Sequence, residues 1–493
     1  MNYLRYLSSN FKLAYLPILT IYFANSFIVF SDIAQLFWIK NSLSLTTSEI
    51  ISITIWSGLP WSMKIIFGQI VDNIKIFNSH RNIYVFIANI LILLGNIVII
   101  MIANNKINFA FLSIFQLLCL SGALVTTGVV LQDLIADTLC YDVVKKTSSN
   151  GTPIDKDNIH EEINLVQLYS KIFDTTGSFF GVLIGGYIAT KFSYGTISYF
   201  LPLVSLIAIF GIIIVRKEPQ IPEFEQDYSM VFISGIYFLA VIILSFFRIA
   251  YSQEILFFIG VIVSIFGINK LIKEIIPENR KKILSIIFVT FCYRCSPNFG
   301  PGVEWWQIDV LHFTPQIISF LKLLTIIISF ILLLTLGKKI LKINIAKTFL
   351  ILNLIHCIMQ LPMLGMAYGL HHFTEKYLGI GIFTLSIIGI ADTGINAPTS
   401  TFAFLVLCTA ATYYAPKKHT ANWFAIVMTL MSLAYVGGAR ILTRILSEIY
   451  IIKRGDYHNV AELMITTNLI NFIVPTLAIL IFMNPFNKKT KLN

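Results

Sequence analysis

Long apolar segments alternate with short polar ones along almost the whole chain. Six apolar runs precede residue 216, near residues 15–39, 48–71, 83–103, 107–131, 162–190 and 194–215. Two more lie near 229–247 and 254–272, and another six near 283–300, 314–337, 346–370, 377–399, 420–443 and 463–484. A helix of about 20 apolar residues crosses the ~30 Å hydrocarbon core of a bilayer. The pattern therefore predicts an all-α polytopic membrane protein with about 14 transmembrane helices.

Polar segments divide these runs into three parts. A link rich in Glu and Pro, Arg216–Asp227, ends the first set, and a basic patch, Glu278–Lys282, precedes the last. We predict an N-terminal six-helix half over 1–215, a cytoplasmic link with an extra transmembrane hairpin over 216–280, and a C-terminal six-helix half over 281–493. The extra hairpin is expected to lie outside the core. Clustered glycines in the fifth and eleventh spans predict close helix packing: Gly177, Gly181, Gly185, Gly186, Gly437 and Gly438.

The charge content and its distribution support a membrane protein. Only 12% of the residues are charged, against about 25% in soluble domains. The net charge of +11 is scattered over loops, so it indicates the positive-inside bias and not a nucleic-acid partner. The basic loops place both termini in the cytoplasm, with one exception, the loop after the eleventh major span that carries Lys453 and Arg454. The first apolar run is too long for a cleaved signal peptide, so we expect it to remain as an anchor.

Several function classes have no support in the sequence. A polytopic membrane enzyme needs a nucleophile–base pair or a His-rich metal motif, and neither is present, so we expect no catalytic residue. No phosphate-binding glycine loop is present either. Cys292 and Cys295 have redox or metal spacing, but no second pair or nearby histidine completes a site. We therefore expect no metal and no cofactor.

Motifs in the second, fourth, seventh and eighth spans resemble one family. The second span and its loop contain Pro60, Trp61, Lys64, Gly68 and Asp72, then Arg81 and Tyr84, and the fourth contains Asp133 and Asp137. The later spans contain Pro297, Trp305, Trp306 and the stretch Leu311–Pro315. Together they resemble the folate–biopterin transporters of the major facilitator superfamily. The resemblance implies that fold, with two six-helix halves plus the inserted helix pair.

The resemblance leaves the substrate open. Where the family usually has a glutamate in the tenth helix, this chain has Asn396–Phe402. Muropeptide permeases and acetyl-CoA transporters share a similar second helix, and also the Gln132–Asp133 pair of the fourth. The hypothesis is therefore a secondary active transporter of an anionic organic solute, folate- or pterin-like, coupled to protons by alternating access. The alternatives are a carrier of a muropeptide or of acetyl-CoA and, remotely, a membrane enzyme.

A first group of charged and small residues is predicted to act in gating. Lys64 and Asp133 lie toward the cytoplasmic ends of adjacent helices, where they form an ion pair or a gate. Asp133 and Asp137 are four residues apart and share a helix face, so one of them can hold a proton. The family resemblance implies that Gly68, Asp72 and Arg81 belong to a loop motif that closes the cytoplasmic side.

A second group is predicted to act in substrate binding and proton coupling. A charge within the bilayer costs about 2.5–3.5 kcal/mol and needs a reason. We assign Arg294, Lys171 and Asp392 to substrate binding. For Arg294 the reason is that arginine keeps its proton and requires an anion. We assign Asp174, Asp32 and Asp392 to proton coupling. Lys171 and Asp174 can also neutralise one another across three helix positions. Arg440 is expected to be only an interface anchor.

The expected setting follows from these assignments. We expect a multi-pass protein of the bacterial cytoplasmic (inner) membrane that functions as a monomer. Its expected partners are the lipid bilayer, a small anionic solute and H⁺, and no nucleic acid.

Overall fold

The computed structural model describes residues 11–77, 79, 81–106, 112–144, 156–215, 239, 243–244, 251–340, 345–379 and 420–483. Within these ranges, eight helical segments are long and apolar enough to cross a membrane. They are Leu13–Ser42, Asn82–Ala103, Ile114–Cys140, Tyr194–Ile214, Ser252–Glu274, Ile345–Ala367, Ile426–Ile449 and Val460–Phe482. The spans predicted near 229–247 and 377–399 lie almost entirely outside the described residues.

The helices follow the predicted apolar runs closely. In chain order they are α1 (Leu16–Phe27), α2 (Asp32–Ser42), α3 (Thr47–Gly58), α4 (Lys64–Asn73), α5 (Asn82–Ala103), α6 (Ile114–Asp142), α7 (Lys156–Ile188), α8 (Tyr194–Ser198), α9 (Leu201–Ile214), α10 (Ser252–Leu271), α11 (Pro277–Arg294), α12 (Pro301–Asp309), α13 (Pro315–Ile340), α14 (Ile345–Ala367), α15 (Leu370–Leu378), α16 (Thr420–Ser432), α17 (Arg440–Ile449) and α18 (Val460–Phe482). Short 3₁₀ turns at Ile28–Ser31 and Leu59–Met63 interrupt the first two spans.

The chain forms two compact units. The first comprises Met1–Trp38 and Met63–Ile243, and the second comprises Ile39–Ser62 and Leu244–Asn493. The segment Ile39–Ser62, which holds the end of α2 and all of α3, thus belongs to the second unit although the chain on both sides of it belongs to the first.

In the first unit, α7 packs on α1 at very short range. Glycine permits this, because a Cβ atom at three positions of α7 would lie 2.4–2.8 Å from backbone carbonyl oxygens of the first span. The facing pairs are Gly177 with Phe23, Gly181 with Phe27, and Gly185 with Phe30. The close packing predicted for the glycines of the fifth span is therefore confirmed at these three positions.

The helix of the fourth span continues beyond its apolar run, through the residues that were expected to place Asp133 and Asp137 on one helix face. The apolar run ends near residue 131, but α6 continues to Asp142. Its start is fixed by a capping box between Ser113 and Gln116. The extension places Asp133, Asp137 and Asp142 on one continuous helix, and this arrangement builds the first part of the candidate site.

In the second unit, α10 belongs to the hydrophobic core. Its residues Ile268 and Leu271 are buried with Val289, Phe349 and Trp423 of α11, α14 and α16. Phe257 of α10 also packs against the glycines of the eleventh span. The expectation that the inserted pair lies outside the two six-helix halves stays a prediction, and α10 of this pair packs one face along the eleventh span.

The seventh and eleventh spans are both irregular. α11 ends at Arg294, and the chain resumes as α12 at Pro301 after a turn that includes Gly300 with φ of +76°. The predicted end of the seventh span at residue 300 was therefore the middle of a broken span. In the eleventh span, a π-helical stretch, Leu433–Ala439, separates α16 from α17. π-Bulges of this kind occur often at functional sites.

Candidate functional site

A lysine joins two carboxylates in the first unit. Lys64 Nζ lies 2.7 Å from Asp133 Oδ2 and 2.5 Å from Asp137 Oδ2. Tyr22 of α1 donates its hydroxyl proton to the other oxygen of Asp137, at 2.5 Å. The helix supplies this geometry, because residues four apart lie on one face. A single ammonium thus serves two carboxylates, so the group carries one negative charge when both acids are ionised.

A second ion pair lies on α7 in the same unit. Lys171 Nζ is 2.6 Å from Asp174 Oδ2, as the spacing of three residues predicts. Ser26 of α1 donates a hydrogen bond to the other oxygen of Asp174. Asp174 also acts electrostatically on Asp133. The two pairs therefore form one charge cluster of Lys64, Asp133, Asp137, Lys171 and Asp174, with three carboxylates and two ammonium groups.

The arginine of the predicted loop motif pairs with an acid at the end of α6. Arg81 is buried, and its Nε atom donates to Asp142 Oδ2 at 3.2 Å. We had named Asp72 as the acid of this motif, and the side chain of Asp72 lies outside what the structure describes. Gly68 faces open space, since a Cβ atom there would approach only Leu134, at 3.8 Å. Asp142 is thus an acid of this site that the sequence analysis missed.

Two arginines approach one tyrosine in the second unit. The guanidinium carbons of Arg294 and Arg440 lie 5.3 and 5.8 Å from the ring centroid of Tyr435. Tyr435 lies in the π-helical stretch and is 46% exposed. Arg294 Nε donates to the carbonyl oxygen of Met431 at 3.1 Å, and Arg440 donates to the carbonyl oxygen of Thr54. We call these three side chains the arginine–tyrosine site.

Arg440 was expected to be an interface anchor, and this was wrong. Its guanidinium group faces the ring of Tyr435 and a carbonyl group of α3, because it is the first residue after the π-helical stretch. Among the described residues it makes no ion pair with a carboxylate. A carbonyl oxygen and an aromatic ring do not neutralise the charge of a guanidinium group, so the Arg440 side chain remains available to bind an anion.

Two further charges of the second unit were missed by the sequence analysis. Glu304 lies on α12 and is exposed, and Lys322 lies on α13 and acts on it electrostatically. Neither makes an ion pair within the described ranges. Both residues lie in otherwise apolar stretches of sequence. A charge in such a stretch was the signal by which the sequence could have identified them. The predicted span ended at residue 300, so Glu304 was counted as part of a loop.

The remaining predicted residues are more scattered. Asp32, which we assigned to proton coupling, is the first residue of α2, directly after a 3₁₀ turn, and it is exposed. It acts electrostatically on Tyr194. Asp392 lies outside the described residues, as does the Asn396–Phe402 stretch. The structure thus groups the predicted residues of the first unit and places Arg294 with Arg440 in the second.

Comparisons with known proteins agree with this architecture. The BT1 family model matches residues 27–493. Two probable folate-biopterin transporters of Arabidopsis thaliana, numbered 2 and 4, are each 23% identical to the chain, over 193 and 220 residues. These matches cover 39% and 44% of this chain and only 34% and 41% of the relatives.

Solved structures show the same fold. A POT family transporter in complex with 5-aminolevulinic acid superposes with a TM-score of 0.66 at 12% identity, covering 96% of each chain. A POT family transporter in complex with a thioalcohol-conjugated peptide gives 0.65 at 13% identity, over 95% of each chain. A peptide transporter POT in complex with sulfate gives 0.60 at 15% identity, over 94% of each chain. At these identities the similarity establishes the major facilitator fold and nothing about the cargo.

Proposed function

This chain belongs to the BT1 family, and from that premise we propose that it carries an anionic, folate- or pterin-like solute in symport with protons. As a BT1-family transporter with the major facilitator fold, it is a multi-pass membrane protein that moves a small solute. It is not an enzyme. The chemical class of the solute and the coupling ion are the subject of the proposal.

The observation that carries the proposal is the arginine–tyrosine site. Arg440 keeps its charge at any physiological pH and has no carboxylate partner among the described residues. Arg294 approaches the same ring, so two positive charges meet beside an exposed aromatic face. A carboxylate binds guanidinium groups through short, charge-assisted hydrogen bonds. A pterin ring would in addition stack on Tyr435, and this combination favours a solute with both features.

Proton coupling is assigned to the charge cluster of the first unit. It contains one more carboxylate than ammonium group, so uptake of one proton makes it neutral. Charged groups in a membrane are costly, and a neutral cluster is more easily enclosed when an alternating-access carrier changes conformation. Asp133, Asp137 and Asp174 are the proposed carriers of this proton, and Lys64 and Lys171 hold them in place. Glu304 is added as a coupling carboxylate of the second unit.

The proposal keeps the other expected roles. Asp392 and Lys171 are proposed to contact the solute, Asp32 to take part in coupling, and Gly68, Asp72 and Arg81 to gate the cytoplasmic side. The two halves are proposed to span 1–215 and 281–493, with residues 216–280 as the insertion between them. The proposed setting is a bacterial cytoplasmic membrane, with both termini in the cytoplasm and a monomer as the functional form.

Transport of labelled folate tests the proposal directly. The purified full chain is reconstituted, and uptake is measured in right-side-out and inverted vesicles, with and without an inward proton gradient. Gradient-dependent uptake that is lost in both Arg294→Ala and Asp392→Asn is the expected result. If protein that is shown to be folded transports no folate in either orientation, folate is excluded as the solute. The same vesicles would then be tested with muropeptides and acetyl-CoA.

A further inference from the structure

A cavity of about 440 Å³ opens in the second unit, away from the arginine–tyrosine site. Two loops line it, residues 44–48 between α2 and α3 and residues 447–454 at and after the end of α17. Trp305 of α12 is the remaining lining residue. The loops lie at the end of the first span opposite to its start, which the basic loops place outside the cytoplasm. None of the roles assigned above uses this cavity.

The cavity contains two cations whose charges are not neutralised by a described carboxylate. Arg454 donates to the carbonyl oxygens of Ile39 and Leu43, and its guanidinium carbon lies 4.9 Å from the ring centroid of Trp305. Lys453 makes no ion pair within the described residues. The nearby Asp456 is bound by His458, whose hydrogen bond holds the pKa of that carboxyl below its usual range.

One acid lines the cavity, and it has partners of its own. Glu448 accepts a hydrogen bond from Ser48 at 2.7 Å and lies 3.5 Å from the Nε atom of Arg444. Arg444 also pairs with Glu254, so the charged lining residues are one acid, Glu448, and two cations, Lys453 and Arg454. The net character of the cavity is positive.

Several other polar groups of the lining residues can donate a hydrogen bond and have no described partner. Trp305 is 2% exposed, and its Nε1–H has no hydrogen-bond partner among the described residues. A buried donor without a partner is uncommon and costs about 1–3 kcal/mol. The hydroxyl groups of Ser44, Thr47 and Ser447 likewise make no hydrogen bond to described residues. An indole, a guanidinium and an ammonium group donate only, so a fitting ligand has to supply acceptors.

The same two cations are the exception to the positive-inside pattern. Every other strongly basic loop falls on the side assigned to the cytoplasm, whereas Lys453 and Arg454 fall on the opposite side. Basic residues in short outer loops work against correct insertion, so their presence there calls for another role. Their position in a donor-lined cavity supplies one.

We propose that this cavity is an outer anion-binding site that captures a carboxylate of the transported solute before it reaches the arginine–tyrosine site. Delivery of the carboxylate to the arginine–tyrosine site rests on the proposed function. Binding of a carboxylate in the cavity does not depend on it. Lys453 and Arg454 attract the carboxylate, and the hydroxyl groups of the lining residues donate hydrogen bonds to its oxygens. Clefts of one charge sign raise the local concentration of an oppositely charged ligand and hence its association rate.

Binding is tested without transport, on the full chain in nanodiscs of zwitterionic lipid. Glutarate is the probe, because it is a small dicarboxylate that does not absorb where tryptophan emits. We expect a saturable change in tryptophan fluorescence that disappears in Trp305→Phe and persists in Trp306→Phe. Lys453→Gln weakens glutarate binding about fivefold, the size typical of one partly exposed charge. Lys191→Gln removes an exposed lysine of a loop in the first unit and leaves glutarate binding unchanged.

Folate transport distinguishes this site from the proposed cargo. If both are correct, Lys453→Gln raises KM for folate about fivefold with kcat unchanged, and added salt reduces the difference. If the protein binds glutarate but does not transport folate, the anion-binding site is supported and folate is excluded as the solute. Folate transport without glutarate binding, or with the same KM in Lys453→Gln and Lys191→Gln, overturns the site. Binding of inorganic phosphate in preference to glutarate would also overturn the assignment to carboxylates.

Discussion

Lys64 and Asp133 are 69 residues apart in the chain, yet Lys64 Nζ donates to Asp133 Oδ2 at 2.7 Å. The contact joins the start of α4 to the middle of α6. Because Asp137 shares the same ammonium, neither acid has a cation to itself. An ion pair that served only to hold two helices together would need one carboxylate. The second makes this contact sensitive to a proton, and several consequences of that difference are measurable.

Replacement of Asp133 by Asn should uncouple the carrier from protons. Asn keeps the size of the side chain and its hydrogen bond, but it cannot take up a proton. We expect uptake driven by a proton gradient to fall at least about tenfold, as general proton-transfer groups contribute, while exchange of labelled for unlabelled solute continues. Glu375→Gln, which removes an exposed carboxylate of α15, is the control. Equal loss of gradient-driven uptake and exchange would instead indicate a structural role.

Much of the charge cluster was predictable from the sequence. Acids four apart on a helix share a face, and Lys171 and Asp174 are close enough along α7 to pair in any helix. The partners from α1 were not predictable. Tyr22 and Ser26 are ordinary residues of an apolar run, and only the packing of α1 against its neighbours makes them donors to these acids.

The second unit was harder to predict, for a geometric reason. The stretch around Gly300 and Pro301 has the composition of a loop, and a loop ends a span in any hydropathy pattern. In the structure it is a break between α11 and α12, so Glu304 continues the seventh span. The π-helical stretch had a similar effect, because it alters the side on which Arg440 emerges. Local backbone irregularity is thus where the pattern failed.

Glu304→Gln should alter the pH dependence of transport without unfolding the protein. Glu304 makes no ion pair within the described residues, so its amide replacement leaves no described partner charge stranded. We expect uptake that no longer increases as the external pH is lowered, with an unchanged melting temperature. Glu462→Gln, in the first turn of α18, serves as the control. An unaltered pH profile in Glu304→Gln would exclude the coupling role.

Lysine should not replace either arginine of the arginine–tyrosine site. A guanidinium group can bind both oxygens of a carboxylate, whereas an ammonium group is a point charge. Arg440→Lys and Arg294→Lys should therefore raise KM for the solute, and Arg440→Gln should raise it by about 30-fold or more, the effect of losing a desolvated charge pair. Tyr435→Phe keeps the ring beside both guanidinium groups and should change KM by less than about threefold. If all four variants have the same KM as the unmodified protein, these residues do not bind the solute.

Gly185 should be a point of high sensitivity in the first unit. A Cβ atom there would lie 2.4 Å from the carbonyl oxygen of Phe30, and backbone cannot move aside as a side chain can. We expect Gly185→Ala to lower the free energy of unfolding by about 1–3 kcal/mol, the range for overpacking. Gly68→Ala has 3.8 Å of clearance to Leu134 and should be neutral or stabilising, because Ala favours a helix by about 1 kcal/mol. Thermal unfolding in detergent measures both, and a smaller loss for Gly185→Ala than for Gly68→Ala would contradict the packing.

A partly buried ion pair joins α10 to α17 in the second unit. Arg444 of α17 bonds Glu254 and also donates to Gln253 Oε1 at 2.7 Å. Gln253 in turn donates to the carbonyl oxygen of Ser52 on α3. Removing one partner of such a pair leaves a buried charge uncompensated, and this typically costs about 3–5 kcal/mol.

We therefore expect Arg444→Met to destabilise the protein more than the double variant Arg444→Met/Glu254→Gln, because the second change removes the stranded carboxylate. A double-mutant cycle that includes Glu254→Gln alone then gives the coupling energy of the pair, which we expect to be about 1–3 kcal/mol. Asp456→Asn breaks the exposed pair with His458 and should leave stability unchanged, because solvent screens an exposed ion pair. Additive effects of the Arg444 and Glu254 changes would show that the ion pair does not hold α10. In that case the apolar contacts of Ile268 and Leu271 would be sufficient, and the inserted helix would be fixed to this unit by packing alone.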